Sequence, residues 1–446
     1  MSLINKIIGK LNLSPTKEKV VRNVVWAVTG KVVALLGGLL VGIFVARYLG
    51  PEQYGLMSYV MSYVALFQVL ASFGLDNIEI REESKRPEEK DKIIGTAFTL
   101  KVCFALITML LVAVTVWIFE ADSFTKWMII LYSLSMLVNS FGVIRNYFTS
   151  LVWNEYIVKT EITRTFIGAG IKVGLLLIHA PLVWFIAAIL LDTILIAGGY
   201  MVSYRKKIGL IHDWTFDKER AIAMLRDAFP LLLSGAAVIV YQRIDQIMIG
   251  NMLNKEAVGY YAVAGKFIEI LIFIPHIASQ TFFPILTRIK QENFTTYQQT
   301  AQRFINITLW GCIFIAIVLC MCSNILIKIT YGYDYIQVVP ILQIMTFKIV
   351  GMALSETVGQ MIIIENQQKY AFIRNTLGCC LAIGLNYWII PIHGIIGASI
   401  ISIVVTLFVG SIANLIIPSY HRYFKIQVKA LFIGWKDIFN LRYIKI

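Results

Sequence analysis

Long apolar segments separated by short polar ones run along the whole chain. A helix needs about 20 consecutive apolar residues to cross the hydrocarbon core of a bilayer, and most of these segments reach that length. A transmembrane β-barrel would show short segments of alternating polarity instead. The pattern predicts an all-α integral membrane protein with about twelve transmembrane helices, near residues 24–49, 56–80, 93–119, 126–152, 162–178, 182–204, 229–252, 257–286, 304–328, 336–364, 371–391 and 394–418.

The first two predicted helices form a hairpin around the corner at residues 50–55. Gly50 can end one helix and Pro51 can begin the next, because proline lacks a donor that the first turn leaves unused. Leu49, Glu52 and Gly55 align without a gap on three residues of a similar corner in the second half of the chain, Leu253, Glu256 and Gly259. The chain is therefore predicted to contain two related halves, each beginning with such a hairpin.

The predicted helices group into two pseudo-symmetric six-helix bundles around a central cavity, residues 23–204 and 229–420. A linker at 205–228 joins them and is predicted to be amphipathic and cytoplasmic. Residues 1–22 are predicted to form an amphipathic cytoplasmic segment, and residues 421–446 a basic cytoplasmic tail.

The net charge of +14 has a simple explanation in a membrane protein. Most of the 40 Lys and Arg residues fall in alternate connecting segments, and such segments usually face the cytoplasm. This asymmetry predicts that both termini are cytoplasmic, and it argues against nucleic acid as a partner. No connecting segment is long enough for a folded domain.

The six Cys lie inside apolar segments, and no His, Asp or Glu cluster has the spacing of metal ligands. We therefore expect neither a disulfide framework nor a metal site, and no cofactor.

Ionisable residues within the predicted spans are the main candidates for function. A charge inside a bilayer must face a polar cavity, find a partner or reach the surface. The candidates to bind substrate are the cations Lys31, Arg145, Arg243, Lys266 and Lys348. The candidates for ion coupling or gating are the acids Asp76, Glu79, Asp245, Glu269 and Glu356. Cations outnumber acids at the deep positions, which favours a cationic chamber between the halves that takes an amphiphilic anion with a phosphate head.

Several of these residues have a structural alternative. Small residues beside Lys31 and Lys348 leave room for an ammonium group or simply pack helices together. Lys266 and Glu269 can neutralise each other at a spacing of three residues. Arg243 and Asp245 each need a partner on another helix.

Four ionisable residues lie nearer the ends of their spans. Asp76 and Glu79 form either a gate or a solvated helix end. Lys101 and Lys172 either extend their ammonium groups to the membrane surface or have a functional role.

Three segments resemble the polysaccharide-transport family of Wzx-like flippases: VARYLGPEQYG at 45–55, FGLDNIEIREE at 73–83 and FPLLLSGAAVIVYQRIDQIMIGNMLNKEAVGYYAVAGK at 229–266. This family belongs to the multidrug/oligosaccharidyl-lipid/polysaccharide exporter superfamily. A motif in the seventh span matches at Asp245, Gly250 and Gly259.

The resemblance implies a multi-pass protein of the bacterial inner membrane. Such a protein moves polyprenyl-diphosphate-linked oligosaccharide outward by alternating access, for lipopolysaccharide O-antigen, capsule or exopolysaccharide biosynthesis. It also suggests membrane lipids and a polysaccharide polymerase as partners, and coupling to protons or sodium ions.

Two other functions stay open. A multidrug or organic-cation antiporter of the same superfamily would favour an acidic cavity, whereas cations dominate here. A membrane enzyme of polysaccharide assembly usually places catalytic residues in a sizeable outside loop, and the predicted outside loops are short. The sequence therefore favours a flippase that is not an enzyme.

Overall fold

A computed structural model describes the backbone of residues 15–439 and the side chains of residues 33–437. In this part of the chain the regular structure is helical throughout. The α-helices are α1 Pro15–Ser72, α2 Leu75–Lys85, α3 Lys90–Phe119, α4 Ser123–Ser133, α5 Ser135–Asn139, α6 Gly142–Ser150, α7 Asn154–Leu177, α8 Leu182–Lys207, α9 Lys218–Met252, α10 Lys255–Glu292, α11 Phe294–Thr330, α12 Val338–Met345, α13 Lys348–Ile364, α14 Ala371–Leu407, α15 Ala413–Ile416, α16 His421–Ile433 and α17 Trp435–Phe439. A π-helical turn, Phe408–Ile412, joins α14 to α15.

The described residues contain nine helical segments that are long and apolar enough to cross a membrane. Two of these segments, Val33–Lys85 and Gln368–Ile416, each contain two predicted spans. The spans meet at Gly50 and Gly394, where φ is 71° and 57°, values that glycine adopts without a steric penalty. The fifth predicted span lies in α7, which is helical but carries more charge. The prediction of an all-α, multi-span membrane protein is confirmed.

The chain divides into two compact units. The first comprises the residues up to Tyr48 together with Tyr63–Ala236, and the second comprises Leu49–Ser62 together with the residues from Ala237 onward. The corner of the first hairpin therefore belongs to the second unit, and α9 passes from one unit to the other.

The core of the first unit joins α2, α3, α6 and α8 around buried side chains that include Leu75, Ile94, Phe148 and Tyr204. The linker after α8 is attached to this core, because the indole N–H of Trp214 donates to the hydroxyl of Tyr204 at 3.0 Å. The predicted amphipathic linker is thus anchored by aromatic packing.

The core of the second unit joins α10, α11, α13 and α16 around Tyr297, Phe304, Met361 and Tyr423. The buried amide of Gln427 donates to the carbonyls of Leu354 and Gly410 at 3.2 and 2.7 Å. These contacts make α16 a packed element of this unit rather than a loose tail.

The segment Leu49–Ser62 is held in the second unit by Tyr59. Its hydroxyl donates to Asn251 Oδ1 at 2.7 Å, and the Lys255 ammonium lies 3.2 Å from the ring centroid. The same ring packs on Gly250, where an added Cβ would lie 2.5 Å from Cδ2 of the ring. A side chain larger than hydrogen at position 250 would therefore displace Tyr59.

Candidate functional site

A buried ionic cluster lies in the first unit, between α2 and α3. Lys101 Nζ lies 2.6 Å from Asp76 Oδ1 and 2.6 Å from Glu79 Oε1. Lys101 is 3% exposed and Glu79 is completely buried. The alternative in which Lys101 extends to the membrane surface is wrong, because two carboxylates on α2 give its charge a partner inside the unit. For Glu79, a solvated helix end is excluded by the same burial.

Asn146 on α6 completes this cluster. Its amide donates to Asp76 Oδ1 at 2.9 Å and to Glu79 Oε2 at 2.6 Å. Asp76 keeps 57% of its side chain exposed and lines a cavity of about 390 Å³ together with Lys101, Asn146 and Arg145. A ligand in this cavity would contact Asp76 and Lys101, while hydrogen bonds from Asn146 hold both carboxylates of the cluster in place.

The other deep cations of the first unit also have acidic partners. Arg145 Nε lies 3.7 Å from Glu161 Oε1. Lys172 forms an ion pair with Asp192, so it too is paired inside the protein rather than extended to the surface. Lys31 lies in α1, but its side chain is outside the described residues. Each of these three described cations, Lys101, Arg145 and Lys172, thus has an acidic partner within the unit.

The second unit brings together most of the predicted charged residues. Glu269 on α10 accepts from Arg243 Nη2 of α9 at 3.3 Å and from Lys266 Nζ at 2.9 Å. All three side chains are about two-fifths exposed. Two cations therefore share one carboxylate, which leaves this trio positively charged.

Asp245 is buried next to this trio and is held by neutral donors. Tyr261 Oη and Asn386 Nδ2 each donate to one of its carboxylate oxygens at 2.6 Å. The carboxylate thereby connects α9, α10 and α14. Asp245 lies only two positions from Arg243, but it has different partners because residues two apart on a helix point in different directions.

Lys348 begins α13 and is a deep cation of this unit without an ion pair among the described residues. It interacts electrostatically with Asp245, Arg243 and Glu269, but no carboxylate of the described residues lies within 4 Å of its ammonium group. Its neighbour Gly351 packs on Thr406, so this part of the small-residue stripe packs helices instead of lining a cavity.

Glu356 lies with a different group of polar residues. Its Oε2 is 3.3 Å from His276 Nδ1, and His276 Nε2 is 3.4 Å from Gln280 Nε2. The ring of Phe273 stacks on His276 with 6.4 Å between centroids. Phe273, His276 and Gln280 follow Lys266 and Glu269 at helical spacing, so these five side chains share one face of α10.

Two buried ionisable residues are not among the candidates that the sequence predicted. Arg374, near the beginning of α14, is 8% exposed, and its Nε and Nη1 atoms have no hydrogen-bond partner among the described residues. Glu83 on α2 is 2% exposed, and both its carboxylate oxygens are likewise without one. Glu83 fell in a predicted loop, and Arg374 fell near the beginning of the span predicted at 371–391. A signal for Glu83 was available, because it follows Glu79 by four residues and shares its helical face.

The structure describes no group of three or more His, Cys, Asp or Glu side chains that could hold a metal ion. Most of the charged and polar side chains described above lie on apolar helices that are long enough to cross a membrane. Such a site can bind an ion or a charged head group.

Solved structures share the fold over nearly the whole chain. The lipid II flippase MurJ in an inward closed conformation superposes with a TM-score of 0.69 at 17% identity, covering 94% of this chain and 93% of that chain. A multidrug resistance MATE family transporter of the MOP superfamily, in its inward-facing conformation, gives 0.64 at 13% identity, with coverages of 93% and 96%. A MOP superfamily transporter from Pyrococcus furiosus gives 0.57 at 15% identity, with coverages of 96% and 96%. The chain thus has the fold of these membrane transporters.

The sequence itself assigns the family. Residues 20–290, more than half of the chain, match the family described as polysaccharide biosynthesis protein. The protein belongs to this family, as its resemblance to the polysaccharide-transport flippases predicted. No curated protein matches the chain.

Proposed function

We propose that this protein is a flippase that moves polyprenyl-diphosphate-linked oligosaccharide across the bacterial inner membrane by alternating access. Its product would supply the biosynthesis of a surface polysaccharide such as O-antigen, capsule or exopolysaccharide, with a polymerase acting next in the pathway. Both termini would face the cytoplasm. Family membership supports the pathway, and the fold shared with a lipid II flippase supports the kind of cargo.

Lys348 is the observation that carries the proposal. An ammonium group within a membrane-spanning segment loses hydration, and this cost is offset only by a partner or by water in a cavity. Lys348 has no carboxylate within 4 Å among the described residues, and the neighbouring trio of Arg243, Lys266 and Glu269 is also positively charged. A diphosphate group would give Lys348 the partner it lacks and would balance the excess positive charge of the trio.

Arg374 adds a second unsatisfied cation to the same unit. A guanidinium forms strong charge-assisted hydrogen bonds to phosphate oxygens, and Nε and Nη1 of Arg374 have no hydrogen-bond partner among the described residues. We propose that Arg374 and Lys348 bind phosphate at different stages of transport, and that acidic sugars of the cargo contact Arg243 and Lys266. Arg145 would provide a corresponding contact in the first unit.

Ion coupling fits the acidic residues of the first unit better than those of the second. Asp76 and Glu79 share Lys101, so a proton or a sodium ion that binds the carboxylates competes directly with the ammonium group. Asp76 faces the cavity and can exchange ions with it. We propose this cluster as the coupling site, with Glu269, Glu356 and Asp245 as further candidates.

Cells that lack the protein provide the first test. We expect polyprenyl-diphosphate oligosaccharide to accumulate on the cytoplasmic face and surface polysaccharide to disappear. The wild-type protein should reverse both effects, while Lys348→Gln should reverse neither although it is inserted at the normal level. Lys328→Gln, which removes a cation near the end of α11, is the matched control and should restore export. A normal lipid-linked pool in the deletion strain would contradict the proposed function.

An organic-cation antiporter is the second candidate, because the carboxylates of Asp76 and Glu79 line or support a cavity in the first unit. The MATE transporters share its fold. Under this alternative, the deletion strain would become sensitive to toxic organic cations, and Asp76→Asn would abolish resistance without changing the surface polysaccharide.

A further inference from the structure

A basic cavity lies in the second unit, away from the charged residues discussed above. It occupies about 590 Å³ between the beginning of α11 and the helices α16 and α17. Five cations and one acid line it: Arg303, Arg422, Lys425, Lys429, Lys436 and Asp437. We call it the α16 cavity.

Most of the positive charge in the α16 cavity is uncompensated. Arg422 forms an ion pair with Glu365 at 2.8 Å, and Asp437 accepts a hydrogen bond from Asn306 at 2.6 Å. Arg303, Lys425 and Lys429 have no ion pair within 4 Å among the described residues. An anion can therefore bind these three cations without breaking an ion pair of the described residues.

The wall of this cavity is fixed in place. Gln302 Nε2 donates to the carbonyl of Ile426 at 3.0 Å, and the indole N–H of Trp310 donates to the carbonyl of Ala430 at 2.9 Å. Tyr423 and Ala430 are buried in the unit on the same helix. The basic side chains thus extend from a helix that packing holds rigid, so the cavity exists before a ligand binds.

An apolar groove adjoins the cavity on the outer face of α16. It measures about 340 Å³, and Phe424, Val428 and Phe432 line it. Lys425 and Lys429 line both the groove and the cavity. Phe432 is 71% exposed. An exposed phenylalanine ring is unfavourable in water, and contact with an apolar ligand would be favourable. The site therefore combines a cationic part with an apolar part a few side chains away.

We propose that the α16 cavity binds the phosphate head group of an anionic glycerophospholipid, while one acyl chain lies in the adjoining groove. Lysine and arginine side chains at a membrane surface attract anionic lipids, and an amphipathic helix inserts its apolar face at the boundary between head groups and acyl chains. A soluble phosphate would use the cavity but not the groove. This site goes beyond the proposed transport function, and its occupancy does not depend on that function.

The test uses the purified full-length protein in a mild detergent and follows lipid binding by native mass spectrometry. Phosphatidylglycerol is the probe, and phosphatidylcholine is the lipid without net charge. We expect phosphatidylglycerol to bind in preference. The double variant Lys425→Gln/Lys429→Gln should weaken this binding roughly 30-fold, given the attraction expected for each lysine near a membrane surface. The control Arg205→Gln/Lys206→Gln removes the same charge from the end of α8 and should bind as the wild type does.

An equal loss of binding in both double variants would overturn the proposal, because the effect would then depend on net charge and not on this cavity. Phe432→Ser separates the two parts of the ligand: it should weaken phosphatidylglycerol binding and leave the binding of glycerol phosphate unchanged. If Phe432→Ser has no effect and glycerol phosphate displaces the lipid completely, the cavity is a site for soluble phosphate. The arginine variant Lys425→Arg/Lys429→Arg should keep lipid binding, which shows that loss in the glutamine variant is not a folding defect.

Discussion

The backbones of Gly55 and Gly259 lie against each other in a reciprocal contact. A Cβ on Gly55 would lie 1.7 Å from the carbonyl oxygen of Lys255, and a Cβ on Gly259 would lie 2.1 Å from that of Pro51. Pro51 and Lys255 occupy equivalent positions in the aligned corners, as do the two glycines. The two copies of the motif thus meet in one symmetric contact, and glycine is required because only it allows two backbones to approach so closely.

We therefore expect Gly55→Ala to lower the free energy of unfolding by about 1–3 kcal/mol or more, since the added methyl group meets backbone that cannot move aside as a side chain can. Thermal unfolding of the purified protein measures the effect. Gly265→Ala on α10 is the control: a Cβ there has no atom within 4 Å, so its unfolding temperature should stay the same or rise. A Gly55→Ala protein as stable as the wild type would show that the contact is looser in solution.

Loss of Lys101 should strongly destabilise the first unit. Lys101→Met leaves Asp76 and the buried Glu79 without their counter-charge, and removal of one partner from a buried ion pair costs about 3–5 kcal/mol. Lys159→Met breaks an exposed ion pair with Glu155, for which we expect less than about 1 kcal/mol. Thermal unfolding of both variants gives the comparison.

A double variant tests whether the unpaired charge of Glu79 causes this loss of stability. Adding Glu79→Gln to Lys101→Met removes the charge that was left unpaired and should recover part of the lost stability. If the double variant is less stable than Lys101→Met, the cluster is held by the hydrogen bonds of Asn146 and not by its charge.

Arg374→Met should reduce transport without reducing the stability of the protein. A buried guanidinium with two unpaired nitrogens costs free energy, so its replacement by an apolar side chain of similar length should leave the unfolding temperature unchanged or raise it. Export of surface polysaccharide should fall, because the proposed phosphate contact is lost. The opposite pattern, normal export with reduced stability, would mean that Arg374 is a structural residue.

Asp217 makes the beginning of α9 sensitive to acid. Its carboxylate accepts the backbone N–H of Arg220 at 3.0 Å, and this hydrogen bond lowers the pKa of Asp217 in the folded protein. A lowered pKa means that the stabilising contribution is present above the pKa of an unfolded aspartate and is lost as the pH falls through the folded value.

Hydrogen exchange of the Arg220 amide measures this effect. Protection in the wild type should decrease as the pH falls through the lowered pKa, after correction for intrinsic exchange, and Asp217→Ala should remove both the protection and its pH dependence. Asp217→Asn should keep protection without the pH dependence, because asparagine also caps helices well. An unchanged profile in Asp217→Ala would show that the cap does not stabilise the first turn.

The sequence by itself determined the membrane class, the helical spans and the two related corners. Each of these depends on local information: an apolar run must avoid water wherever it occurs, and Gly50 before Pro51 favours a corner in any surroundings. The charged residues inside spans were also visible, because their cost in a bilayer depends on residue type and depth.

The tertiary structure alone decided which of those charges are paired. Lys101 and Lys172 looked like residues that reach the membrane surface, yet acids on neighbouring helices hold them inside. Glu83 looked like a loop residue and Arg374 like a residue at the end of a span, yet packing buries both. The reason is physical: hydropathy follows from the sequence of one helix, whereas an ion pair depends on how two helices are rotated and placed against each other. The reciprocal approach of Gly55 and Gly259 is of the same kind, since only the packed structure shows that the space for a side chain is already filled by another backbone.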